Sequence, residues 1–226
     1  MSDKVNLVIF EGIDGSGKTT LMRNFENYIR TSKTSFENDL FVDVVNTSDS
    51  IPAVRDFLKT TTELSSRAQG FILNSLFVGG EIGMLDHETG TLYRHLSICG
   101  EGDIILMDRY FPSLIYNVMD DVLYREIENT LLRMMPDNVR VIMVYCDCIP
   151  DIAKRRIQSR GDAKEYYEDT SNLIGTYRRY QILIDNVKRD NKYDIIQIDS
   201  SYATQEEMLT DLISECKNMK IFEEGR

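Results

Sequence analysis

Apolar residues gather into five short runs along the chain, at 4–10, 40–45, 103–107, 139–145 and 194–198, each nearly continuous rather than alternating. Such a run predicts a strand buried on both faces, because a half-exposed strand would carry polar residues at every second position. Between the runs, helix-like patterns fall at 19–31, 53–59, 64–84, 124–135, 151–160, 171–189 and 205–217. Pro150 stands where a first helical residue tolerates the loss of its N–H. Strands separated by helices call for right-handed crossovers, so the expected fold is α/β: a five-stranded parallel sheet flanked by helices on both faces. Ligands then bind beyond the carboxyl ends of the strands.

A length of 226 residues suits one domain, and no repeat, Pro-rich linker or low-complexity tract divides the chain, so residues 1–226 are expected to form a single unit. With 42% hydrophobic and 28% charged residues there is apolar surface enough to offset the entropy of ordering, which excludes a disordered chain. The net charge of -11 repels a polyanion, so nucleic acid is not the expected partner. Neither a signal peptide pattern nor an apolar run of membrane-spanning length is present, so the expected setting is cytoplasmic with no membrane partner. Cys99, Cys146, Cys148 and Cys216 lack the spacing of a zinc site or a disulfide scaffold. Cys146 and Cys148 are expected to share one face of a strand as buried core thiols.

The chemistry begins directly after the first strand. Gly12-Ile13-Asp14-Gly15-Ser16-Gly17-Lys18-Thr19 satisfies GxxxxGK[ST] between an apolar strand and a helix, the context in which that pattern has meaning. Glycines let backbone N–H groups converge on phosphate oxygens, and the following helix N-terminus adds a favourable dipole. The ATP-binding candidates are therefore Gly12, Asp14, Gly15, Ser16, Gly17, Lys18, Thr19 and Thr20, with Lys18 directed at the β- and γ-phosphates and the Thr19 hydroxyl at Mg²⁺. Asp108 ends the third predicted strand beside this loop, where a carboxylate can hold Mg²⁺ or its waters. Arg109 carries the planar fork suited to an acceptor phosphate. A purely structural salt bridge is the plain alternative for that pair. Arg156 and Arg160 recur at four-residue spacing, just before Gly161-Asp162, a point at which a lid could hinge over ATP.

P-loops also serve GTP-binding switches, and Asn191-Lys192-Tyr193-Asp194 spells the NKxD pattern that reads guanine. Here it follows a helix and opens a strand, instead of following a strand. The strand at 103–107 is also succeeded by Asp108-Arg109-Tyr110-Phe111, not by an Asp-x-x-Gly segment. A switch remains the remote alternative.

Several motifs, taken in order, resemble the thymidylate kinase family of P-loop nucleoside monophosphate kinases. They are Phe10-Glu11-Gly12-Ile13-Asp14-Gly15-Ser16-Gly17-Lys18-Thr19-Thr20, then Asp108-Arg109-Tyr110 followed by Ser113 and Tyr116, then Arg155-Arg156-Ile157-Gln158-Ser159-Arg160-Gly161, and last Ile196-Gln197-Ile198-Asp199. The resemblance implies a P-loop kinase fold with a lid at about 155–170, and Mg²⁺-dependent transfer of the ATP γ-phosphoryl group to dTMP by a homodimer. It implies Lys18, Asp14, Arg109, Arg156 and Arg160 as catalytic residues, with Thr19 and Asp108 at the metal. Members of the family carry a catalytic arginine either in the P-loop or in the lid; Gly15 occupies the P-loop position here, which points to the lid. The implied substrate-binding set is Asp14, Arg55, Phe71, Ser75, Arg109, Tyr110 and Tyr167: Asp14 on the deoxyribose 3′-hydroxyl, Phe71 stacked on the base, and Tyr167 beside the sugar or base. Glu168 is a further acidic candidate near the metal.

The chain also departs from the family. Its second strand leads into Asn46-Thr47-Ser48-Asp49-Ser50-Ile51-Pro52 instead of a Thr-Arg-Glu-Pro-Gly-Gly-like loop, leaving Arg55 to serve the acceptor phosphate. Ser75 stands where relatives place an arginine on the thymine carbonyl, and an extra segment occupies about 84–96. These departures leave open a broader or different base preference. A deoxynucleoside kinase, with Asp49 as the base that takes the 5′-hydroxyl proton, is the alternative from a neighbouring class.

Overall fold

The structure, a computed structural model, describes residues 4–32, 42–46, 76, 78–116, 120–160 and 170–222. Five strands form one all-parallel sheet: β1 (Val5–Glu11), β2 (Val42–Asn46), β3 (Ile104–Asp108), β4 (Val139–Asp147) and β5 (Asp194–Asp199). Their order is β2-β3-β1-β4-β5, with β1 at the centre. All seven residues of β1 are buried, as a central strand with both faces covered requires. Successive side chains point to opposite faces. Val8 and Phe10 therefore pack with Leu106, Val144 and Ile198 in one core, while Leu7 and Ile9 pack with Ile105, Met107 and Met143 in the other.

The first core is covered by α1 (Lys18–Thr31) and by the last helix, α6 (Gln205–Asn218). Leu21, Met22, Phe25 and Ile29 make the buried stripe of α1, and Phe25 lies between Phe10 and Phe222 with ring centroids 6.2 Å from each. Thr204 and Glu207 close the start of α6 with a reciprocal capping box. The second core lies under α2 (Thr91–Ile98), α3 (Asp121–Met134), α4 (Pro150–Arg160) and α5 (Thr170–Asp190). Asp120 caps α3 by accepting from the N–H groups of Val122 and Leu123, so the helix starts three residues before the expected 124. Helical residues run through 78–84, inside the expected 64–84; the rest of that helix and the expected helix at 53–59 lie outside the described residues. Among the described residues no helix is long and apolar enough to cross a membrane.

One helix is added and one expectation changes. The extra segment at 84–96 overlaps α2, an eight-residue helix whose buried side chains are Leu92 and Leu96. Two apolar positions one turn apart are too few to register as a periodic pattern. Cys146 and Cys148 do not share a face: Cys146 packs toward α1 and α6, and Cys148 joins the opposite core. β4 ends at Asp147, and the chain is already turning into α4 at Cys148. Both thiols are nonetheless buried and free.

The Asn191-Lys192-Tyr193-Asp194 tetrapeptide is consumed by the fold. Asn191 takes a left-handed conformation, φ 47, just past the end of α5. Lys192 pairs with the carboxylate of Glu128, a buried group on α3 that also accepts from the Tyr193 hydroxyl at 3.1 Å. Asp194 pairs with Arg140 at 2.7 Å. Lys192→Met should therefore strand a buried carboxylate and lower unfolding free energy by about 3 kcal/mol. Denaturant unfolding checks that loss, and GTP affinity measured beside it should not change.

Candidate phosphate-transfer site

The site grows from the register of the sheet. Phe10 of β1 lies opposite Asp108 of β3, so the chain leaves β1 as the P-loop beside the end of β3. Gly12, Gly15 and Gly17 have φ 144, 79 and 86, a region open to glycine. Close packing adds a second reason. A Cβ at Gly12 would stand 2.7 Å from the carbonyl oxygen of Cys146, and one at Gly15 would stand 2.5 Å from that of Ala153 on α4.

The resulting geometry brings candidate groups together from distant parts of the sequence. The Thr19 hydroxyl donates to Asp108 Oδ2 at 2.6 Å. Arg109 reaches across to the Asp14 carboxylate, and Lys18 Nζ lies 3.5 Å from the same oxygen of Asp14. Arg156 donates from Nη1 to the carbonyl oxygen of Gly15 at 3.4 Å and lies 3.6 Å from the Cys148 sulfur, so α4 contacts the P-loop. Ser16 is buried with its hydroxyl unpartnered, and Thr20 is exposed on α1. Arg109 has φ 68, a conformation that costs a non-glycine residue on the order of 1 kcal/mol and persists only where the surroundings impose it.

Charge in this pocket is strongly coupled. Burial raises the pKa of Asp14, but the Arg109 and Lys18 cations beside it outweigh burial and hold it below the ordinary carboxylate value. Burial lowers that of Lys18, and the like charge of Arg109 adds to the shift against the pull of Asp14, Asp108 and Glu11. Thr19 and Asp108 supply hard oxygen donors beside the phosphate loop, a set that suits Mg²⁺, which keeps waters and phosphate oxygens as its other ligands.

Tyr110 departs from the expectation of a substrate contact. Its ring is 1% exposed, packed edge-on against Phe111, and its hydroxyl donates to the backbone carbonyl of Glu81 at 3.3 Å. The chain turns sharply at Arg109, which sends the next side chain down into the core. Arg55, Phe71, Ser75, Tyr167 and Glu168 lie outside the described residues, as does Asp49; Arg160 closes α4.

Sequence reasoning missed the polar layer behind Arg109. Glu11, Ser113 and Tyr180 form it, and Glu81 lies near enough for the Glu11 charge to be felt. The available signal was an acidic residue ending an otherwise almost wholly apolar strand. Burial raises the Glu11 pKa, opposed by Arg109 and by donors from Ser113, Tyr180 and Tyr110.

The architecture and this loop are those of a P-loop kinase. No family model matches the chain, but individual relatives do. It is 30% identical over 168 residues to a Treponema pallidum protein named as a thymidylate kinase, covering 74% of this chain and 73% of that protein. It is 28% identical over 184 residues to the thymidylate kinase of Leptospira borgpetersenii, covering 76% and 77%. A Methanococcus aeolicus relative bearing the same family name is 24% identical over 217 residues, 95% of this chain and 97% of its own. The chain belongs to the thymidylate kinase family.

Glu81 gives this layer a measurable pH dependence. It is 4% exposed with Oε2 unpartnered, and burial, reinforced by the Glu11 charge, pushes its pKa from 4.5 up to about 8. Well below pH 4.5 the group is neutral in both folded and unfolded chains; above it the unfolded chain releases a proton that the folded chain keeps. Its contribution to stability therefore falls as pH rises from about 4.5 to about 8. Between about pH 5 and 7.5 the loss is on the order of 3 kcal/mol. Glu81→Gln should remove this component, so its unfolding free energy relative to wild type should rise across that window in urea titrations at several pH values.

Proposed function

We propose that this chain transfers the γ-phosphoryl group of ATP to the 5′-phosphate of dTMP, giving dTDP, with Mg²⁺. The observation that carries the reading is the placement of Asp108 and Arg109. One touches the P-loop threonine and its neighbour reaches Asp14, so consecutive residues at the end of β3 address the donor and acceptor sides. Membership of the thymidylate kinase family supports the choice of acceptor.

The acceptor phosphate oxygen is already ionised, so this transfer needs no general base. The enzyme must instead hold two mutually repelling anions in line. Backbone N–H groups of the P-loop and Lys18 take the ATP phosphates, with Gly12, Gly15 and Gly17 allowing the close approach. Mg²⁺, held by Thr19 and Asp108, would neutralise charge on the donor phosphates. Arg109 takes the acceptor phosphate, a role that Arg55 shares. Asp14, released from Arg109, accepts from the deoxyribose 3′-hydroxyl, while Phe71 stacks on the base and Tyr167 serves the sugar or base. Arg156 and Arg160 meet the transferring group from the lid, where a cation stabilises charge that the ground state carries less strongly. The contact of Arg156 with the carbonyl oxygen of Gly15 supports its part in that role.

Turnover should be measured with ATP against a panel of nucleosides and nucleoside monophosphates. The expected result is phosphorylation of dTMP and none of thymidine, because arginines built for a phosphate are left unpaired by a nucleoside. Activity on thymidine without activity on dTMP would replace this reading with a deoxynucleoside kinase. Lys18→Ala and Asp108→Asn should each lose most turnover while melting close to wild type. Neutralising Arg156 and Arg160 together should lower kcat far more than it raises KM for ATP. With Ser75 in place of arginine, dUMP should compete with dTMP better than in relatives that hold the thymine carbonyl through arginine; a preference for dTMP of several orders of magnitude would mean that another residue reads the base.

A further inference from the structure

Among the described residues, the carboxyl of Glu11 backs the turn at Arg109. Glu11 closes β1 with no exposed surface, and both of its oxygens carry donors from other elements. Oε1 accepts the backbone N–H of Tyr110, the residue after Arg109, at 2.9 Å. Oε2 accepts the hydroxyls of Ser113 and Tyr180, each at 2.6 Å, and lies 3.9 Å from Nη1 of Arg109. The same Nη1 donates to Ser113 Oγ at 3.3 Å, so that hydroxyl links guanidinium to carboxyl. On the other side the Arg109 N–H donates to the carbonyl of Phe10 at 3.1 Å.

A left-handed arginine does not hold itself in place. Here the bond to Phe10 and the bond from Tyr110 to Glu11 pin the peptides on both sides of it to the end of β1. The Ser113 bond and the nearby carboxyl oxygen then hold the guanidinium. Tyr180 brings α5 to the same oxygen, so the seat of this cation is set by β1, β3 and α5 together. A carboxyl reaching past the strand end satisfies this arrangement, with one oxygen for the backbone N–H and the other for the two hydroxyls.

We infer that Glu11 is the positioning residue for Arg109, fixing the backbone turn and the guanidinium so that the cation meets the acceptor phosphate. The inference rests on the monophosphate kinase reading above. Glu11 touches no substrate in this role; its effect reaches the reaction through Arg109. It should therefore govern the acceptor and leave ATP binding, which the P-loop and α1 supply, largely unchanged.

Steady-state kinetics with dTMP and ATP varied separately test this. Glu11→Gln keeps the size of the side chain but replaces one acceptor oxygen by an amide and removes the charge. It should raise KM for dTMP at least about tenfold, with KM for ATP moving by less than about twofold. In an Arg109→Ala background the same change should add less than about twofold, since no guanidinium remains to be placed. Tyr180→Phe, which deletes a single donor, should move KM for dTMP in the same direction by about threefold and keeps the test available if Glu11→Gln does not fold. Equal increases in both KM values, or the same dTMP penalty with and without Arg109, would make Glu11 a general support of the fold and overturn the positioning role while leaving the kinase reading intact. A wild-type protein that turns over no nucleoside monophosphate would overturn the reading and this role together. Turnover on a monophosphate other than dTMP would move the same ratios to that acceptor.

Discussion

A cation kept out of water needs a counter-charge at all times, and the phosphate-transfer site is arranged to meet that demand before any nucleotide arrives. Lys18 and Arg109 converge at the ends of β1 and β3, and Asp14, Asp108 and Glu11 lie around them. An unpaired cation at this depth would cost several kcal/mol. On the proposed function, phosphate binding would be an exchange of partners, in which an acceptor phosphate takes over the guanidinium from Asp14. The displaced carboxylate would then be available to a sugar hydroxyl, so that one exchange would prepare two contacts.

That arrangement follows from strand register more than from local loop chemistry. β1 sits between β3 and β4, and chain direction puts every strand end on the same edge. Glu11 follows the Phe10–Asp108 pair directly, so its carboxyl comes up against the turn at Arg109. A slip of one residue would invert both faces of β1 and remove the acid from behind the arginine. The apolar pattern on the strands thus fixes the electrostatics of the cleft, though none of those residues is charged.

Much of this was legible in the chain. The five strands and the P-loop between β1 and α1 follow from local patterns that carry their own context. Strand order did not, because continuous apolar runs say that strands are buried without saying beside what. α2 was too short to repeat its pattern, and Cys148 was misplaced because a strand end is a hydrogen-bonding event with weak sequence marking. Tyr110 entered the substrate-binding set through the Asp-Arg-Tyr resemblance, and the sharp turn at Arg109 that buries its ring is a tertiary effect. Glu11 was in view inside the motif, yet its partners Ser113 and Tyr180 lie 102 and 169 residues away, beyond any local pattern.

Gly15 carries a consequence for how such sites can diverge. The carbonyl of Ala153 stands where its side chain would begin, and Arg156 of the same helix lies on the carbonyl oxygen of Gly15. Among the described residues, the volume beside Gly15 is filled from α4. A side chain at 15 would meet the carbonyl of Ala153 at its first carbon, so the loop and α4 cannot both keep their present places once that position carries more than hydrogen.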